Sequence, residues 1–191
     1  MILLGVVALA TLAANGARQL RYAAVAFLVV SLIANTIASS GVTIVEVAVS
    51  ALAGMVASAI LYVAARDSAY GEEPGWRLWL ATIVAAAATP AAFTSFRTVV
   101  GEGAQLPLFE LDSSGVSAQV TAFWLLSSGV AILLTARSAV RMSVGALVMI
   151  TGVQLLVKVA TGPDVALTVM LSWLEVVVAL AGAFLDRKSV V

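Results

Sequence analysis

The sequence predicts an all-α, polytopic integral membrane helix bundle of about seven transmembrane helices, with the N-terminus outside and the C-terminus cytoplasmic. Three observations lead there. Of the 191 residues, 62% are hydrophobic and only 10% are charged, whereas a soluble domain carries about 25% charged residues. A polar exterior cannot be built from so few charges, so lipid must be the solvent for most of the chain. The apolar stretches are hydrophobic all round rather than along one stripe. They lack the alternation over about ten residues that marks strands of a membrane barrel.

A bilayer core of about 30 Å needs roughly 20 apolar residues as helix. The first span, Ile2–Ala17, is a little short and is followed by Arg18-Gln-Leu-Arg21. No basic segment precedes it, so it reads as a retained helix rather than a cleaved leader. The second span is Tyr22–Ala38, closed by Ser39-Ser40-Gly41. The third is Val42–Ala65, followed by Arg66 and a polar loop ending in Gly71-Glu-Glu-Pro-Gly75, a turn-forming run. The fourth is Trp76–Phe96, with Pro90 inside it. Residues 1–96 thus form an N-terminal four-helix portion. An external loop follows over 97–115, carrying Glu102, Glu110, Asp112 and the apolar run Leu106-Pro-Leu-Phe-Glu-Leu111. That run suits the membrane surface or a partner subunit. Residues 116–191 hold three more spans: Val116–Ala136, Met142–Ala160 after the turn Arg137-Ser-Ala-Val-Arg141, and Asp164–Leu185 after Thr161-Gly162-Pro163.

The basic residues set the orientation. With the N-terminus outside, cytoplasmic segments hold Arg18, Arg21, Arg66, Arg77, Arg137, Arg141, Arg187 and Lys188, against Arg97 and Lys158 outside, which is 8 of the 10 basic residues. This is the positive-inside asymmetry. Tyr22, Tyr62, Trp76 and Trp79 fall near the same cytoplasmic interface, as belt aromatics do. Trp124 and Trp173 fall deeper and are expected to pack between helices. Small residues in Ala51–Ser58 and Ala85–Ala88 allow close backbone approach.

The catalytic inventory is nearly empty. There is no Cys and no His, which removes the usual ligands of haem, iron–sulfur clusters and zinc. No cofactor or metal is expected. The zero net charge and absence of a basic face give no reason to expect nucleic acid.

Ionisable groups inside the membrane are therefore the candidate site. Glu175 lies about eleven residues into the last span, near mid-depth, among Trp173, Leu174 and Val176–Val178. Apolar surroundings disfavour the charged carboxylate, and such a group can take and release a proton. The plainer alternative is a neutral acid that hydrogen-bonds a neighbouring helix. Lys158 lies near the outer end of the sixth span, and its long stem is expected to snorkel outward. Its depth differs from that of Glu175 by roughly 13 Å of helix rise, so Gln154 or water must bridge them. Gln154 and Thr151 form a polar stripe one turn apart, equally suited to interhelical hydrogen bonding. Glu46, about four residues into the third span, is expected to reach the headgroups by snorkelling.

Several segments carry a family resemblance. Leu133-Leu-Thr-Ala-Arg137 with Arg141, Gly145-Ala-Leu-Val-Met149-Ile-Thr-Gly-Val-Gln154-Leu-Leu, and Ser172-Trp-Leu-Glu175-Val-Val-Val-Ala-Leu-Ala181 resemble the three helices of the small K-type membrane subunit of respiratory complex I. With Leu61-Tyr-Val-Ala-Ala-Arg66, the whole chain resembles the component E subunit of hydrogenase-4 type complexes, which extends that unit with N-terminal helices. The resemblance implies a subunit of an ion-translocating redox complex in the cytoplasmic (inner) membrane. The implied partners are antiporter-like membrane subunits and a peripheral hydrogenase or dehydrogenase arm, with lipid around them. It also implies a lateral proton path through Glu175. One departure bears on that path: the family's second buried glutamate falls at Leu147 here. An independent small transporter and a purely structural subunit stand as alternatives.

Overall fold

A computed structural model describes residues 2–17, 19–37, 43–67, 75–101, 113–162 and 164–188. The described residues form seven α-helices: α1 (Ile2–Gly16), α2 (Leu20–Ile37), α3 (Ile44–Asp67), α4 (Gly75–Gly101), α5 (Ser113–Thr135), α6 (Ala139–Thr161) and α7 (Val165–Lys188). Six of them, α2 to α7, are long and apolar enough to cross a bilayer. The chain is a polytopic helical membrane protein. The first helix, α1, has 15 residues, about 22 Å of helix against a hydrocarbon core of about 30 Å.

Helices α1, α2 and α3 pack in sequence, as do α5, α6 and α7. The two trios lie against each other so that α1 meets α5, α2 meets α6 and α3 meets α7. The four-helix and three-helix portions thus form one interleaved bundle. Helix α4 sits at its side, chiefly against α5, and is the least buried span, whereas α6 is the most buried.

Small residues make this packing possible. A Cβ on Gly129 of α5 would lie 2.7 Å from the Met149 backbone nitrogen and 2.8 Å from the Gly145 oxygen of α6. A Cβ on Gly152 would lie 3.0 Å from the Leu126 nitrogen. Lipid tails are as apolar as the side chains, so close van der Waals contact has to hold such helices together. Polar bonds add to it: Ser58 Oγ on α3 donates to the Ala24 oxygen on α2 at 2.8 Å. Trp124 packs against the central core and donates from Nε1 to Thr11 Oγ1 on α1, an interhelical position as its depth predicts. Trp173 departs from that expectation, with 68% of its surface exposed on the outer face of α7. Tyr22, Tyr62, Trp76 and Trp79 are exposed.

The helix boundaries correct the sequence reading in two places. Helix α4 continues past Phe96 through Arg97 to Gly101, and α5 begins at Ser113, so the connection over 97–115 is shorter than its polarity implied. Arg97 lowers the hydropathy but does not stop the backbone; its guanidinium lies 5.6 Å over the Phe93 ring one turn earlier. Helix α6 begins at Ala139, three residues before the expected Met142, because Ser138 caps it and accepts from the Arg141 amide at 3.2 Å. Arg141 is therefore a helical residue. It is 2% exposed and donates to the Ala17 oxygen at 3.3 Å and to the Asn15 oxygen. These carbonyls end α1, where an orphaned helix terminus attracts a cation. Arg18, Ser39 to Gly41, the 68–74 connection, Glu102, Leu106 to Leu111 and Asp112 lie outside the described residues.

Candidate functional site

Four helices turn polar residues toward one seam. Helix α6 contributes Thr151, Gln154 and Lys158, spaced three and four apart so that they share a face. On α7, Thr168, Ser172 and Glu175 share a face by the same spacing, and Ser31 with Asn35 and Glu46 with Ser50 do so on α2 and α3. All are buried. The seam occupies the half of the bundle that contains the α6–α7 connection, away from Arg21, Arg66 and Arg141.

Glu175 is 1% exposed. Thr151 Oγ1 donates to its Oε1 across the α6–α7 contact at 3.3 Å, and also lies 3.0 Å from the Leu147 carbonyl of its own helix. A hydroxyl has one proton and two lone pairs. The pair therefore has two hydrogen-bonded states. With Glu175 ionised, Thr151 donates to the carboxylate. With Glu175 neutral, its O–H donates to Thr151 Oγ1, and the threonine proton turns back to the Leu147 oxygen. The second oxygen, Oε2, meets no hydrogen-bond partner among the described residues. Buried polar atoms are nearly always paired, so an orphan here marks a place for water or proton exchange.

Lys158 does not snorkel. It is 8% exposed, and Nζ donates to Asn35 Oδ1 on α2 at 3.2 Å. The Asn35 amide is oriented for this by its own Nδ2, which donates to the Ser31 oxygen at 2.9 Å. An inward acceptor, two acidic neighbours and a packed helix face outweigh the gain from reaching the surface. Glu46 and Glu175 both lie within electrostatic reach of the ammonium.

Glu46 is likewise buried, at 1% exposure, rather than turned to the headgroups. Its Oε2 accepts from the Thr43 amide at 3.0 Å and from Thr43 Oγ1 at 3.1 Å, while Thr43 Oγ1 accepts from the Glu46 amide at 3.4 Å. This is a capping box at the start of α3, and the spacing Thr43-x-x-Glu46 announces it in the sequence. Oε1 remains without a partner among the described residues. Lys158, Glu46 and Glu175 thus share one buried seam.

Gln154 is buried between Thr151 and Lys158, with Nε2 unpartnered. Two crevices meet at this residue. One, between α2 and α6, is lined by Asn35, Thr151, Gln154 and Lys158 and is too narrow for water. The other, between α6 and α7, has room for about one water molecule. It is lined by Gln154, Lys158, Gly162, Asp164, Thr168 and Leu171. Gly162 adopts a positive φ of 80° and its amide caps the Lys158 carbonyl, which closes α6. Asp164 Oδ1 accepts from the Ala166 and Leu167 amides and opens α7.

The four sequence candidates converge on this seam. What the sequence reading missed is Asn35 as the lysine's acceptor and the Thr168–Ser172–Glu175 face, for which the polar periodicity of α7 was the available signal. The described residues bring no three His, Cys, Asp or Glu side chains into a metal-holding group. Comparison of the chain with protein-family models, curated proteins and solved structures gives no match.

Proposed function

We propose that the chain is a membrane subunit of a multi-subunit, proton-translocating redox complex of the group 4 hydrogenase or complex I type, in which Glu175 takes and releases the proton. The observation that carries the proton role is the Thr151–Glu175 pair, which can keep its hydrogen bond in either protonation state and is buried in one seam with Lys158 and Glu46. The complex itself is implied by the residue patterns of 116–191. In this reading α1 also spans, the basic helix ends face the cytoplasm, and the membrane is the cytoplasmic (inner) one. Antiporter-like subunits and a peripheral hydrogenase or dehydrogenase arm are the partners, and this chain bridges them or extends their lateral proton path. It carries no electrons, since the sequence has neither Cys nor His.

An independent carrier of a polar solute is the less favoured reading, because the seam has room for about one water molecule. The test is purification of the tagged chain from native membranes in mild detergent, with mass spectrometry of the associated proteins. Stoichiometric antiporter-like and hydrogenase-like or dehydrogenase-like subunits are expected. A chain that emerges alone, or as a homo-oligomer, contradicts the complex.

A further inference from the structure

The polar seam is interrupted just beyond Glu175 by an apolar layer. Beyond it, toward the basic helix ends, Val144, Leu147, Val148 and Ala179 are all 0% exposed and part of one apolar core, and the next buried polar side chains on α6 and α7 are Ser143 and Asp186. In the other direction the polar groups continue: Ser172 and Gln154, then Thr168 and Lys158, then the crevice mouth at Gly162 and Asp164. Three atoms along this stretch are buried and unpartnered: Glu175 Oε2, Ser172 Oγ and Gln154 Nε2. Dry orphans of this kind are costly, and water entering from the crevice would satisfy them. The apolar layer offers no such side-chain partners.

We propose that the α6–α7 crevice is a half-channel, entered by water, that connects Glu175 to the side of the membrane bearing Gly162 and Asp164 and to no other. Val144, Leu147, Val148 and Ala179 form its closed floor. The species it passes is the proton. Lys158 lines the throat, and its charge opposes a metal cation that must move as an ion, whereas a proton passes by exchange between waters, hydroxyls and the carboxylate. A proton arriving from the crevice binds Glu175 Oε2, and it leaves the same way or to a partner subunit beside α7. The inference rests on reading Glu175 as the proton-carrying group, but the access it describes is measurable without any activity.

The chain contains no Cys, so one introduced cysteine is its only thiol. Single variants Thr168→Cys, Ser172→Cys, Val144→Cys and Ala179→Cys would be placed in the intact complex. Thr161→Cys and Arg187→Cys, exposed at opposite ends, report the two sides. Silver ion, comparable to water in size and reactive with thiolates, is applied from one face of sealed, oriented vesicles. Thiols that remain are labelled with a maleimide after denaturation. Thr168→Cys and Ser172→Cys should be protected at least tenfold faster from the Thr161 side than from the Arg187 side. Val144→Cys and Ala179→Cys should be protected from neither. Should Ser172→Cys fail to fold, Leu171→Cys, on the crevice lining, replaces it. Protection of the crevice positions from the Arg187 side, no protection of them from either side, or equal protection of Ala179→Cys would overturn the half-channel. If the protection pattern holds while Glu175 variants pump normally, the access stands and the proton role of Glu175 fails.

Discussion

Thr151 on α6 hands its hydroxyl to Glu175 on α7 at 3.3 Å while keeping the Leu147 carbonyl 3.0 Å away as a second acceptor. The pair can absorb a proton without moving either helix. Replacing Thr151 with Val keeps the shape and removes the only group on α6 that bonds the carboxyl. Proton transfer should fall by about tenfold or more, a fraction of what a positioned acid–base group contributes. Thr151→Ser should restore most of it. The check is the initial rate of proton uptake by membrane vesicles, with subunit content measured in parallel.

Arg141 caps the end of α1 from inside the bundle. Arg141→Met removes the cation and leaves the Asn15 and Ala17 carbonyls short of a donor. Breaking such a buried charged contact costs about 3 kcal/mol. Thermal unfolding of the purified protein in detergent should show a loss of several degrees, with Arg141→Lys recovering part of it.

Lys158 depends on Asn35. Asn35→Leu strands the buried ammonium and should destabilise the bundle by about 3 kcal/mol. Asn35→Asp retains an acceptor and should cost far less. Unfolding temperatures of the two variants, measured side by side, decide this; equal values would mean that Lys158 finds another partner.

The α5–α6 contact admits no side chain at its glycines. Gly129→Ala puts a Cβ within 2.7 Å of backbone in α6, and overpacking of this kind costs about 1–3 kcal/mol. Gly5→Ala meets nothing within 4 Å and should be neutral in the same unfolding assay.

Much of this was legible in the sequence. Apolar runs longer than a bilayer is thick leave little choice but helices, so all seven appeared near their observed positions. The boundaries slipped where polarity and backbone disagree: Arg97 is polar yet helical, and Ser138 starts α6 before the hydropathy rises. Glu175, Gln154 and Glu46 stand out in the sequence because charge and amide groups are rare inside membrane spans. Their partners do not, since whether Lys158 turns outward to water or inward to Asn35 depends on which helix lies beside α6. That neighbour is set by tertiary packing. Thr43-x-x-Glu46 is the exception, a local capping signal that depth alone obscured.

In the proposed function, Glu175 exchanges protons in the coupled reaction. The most direct measurement is proton translocation by native membrane vesicles carrying Glu175→Gln, driven by the redox reaction and normalised to assembled complex. Glutamine preserves a hydrogen-bonding side chain for Thr151 but cannot titrate. Assembly should be unchanged and proton translocation reduced at least tenfold. Translocation at the parental rate would contradict that role and leave Glu175 as a packing residue.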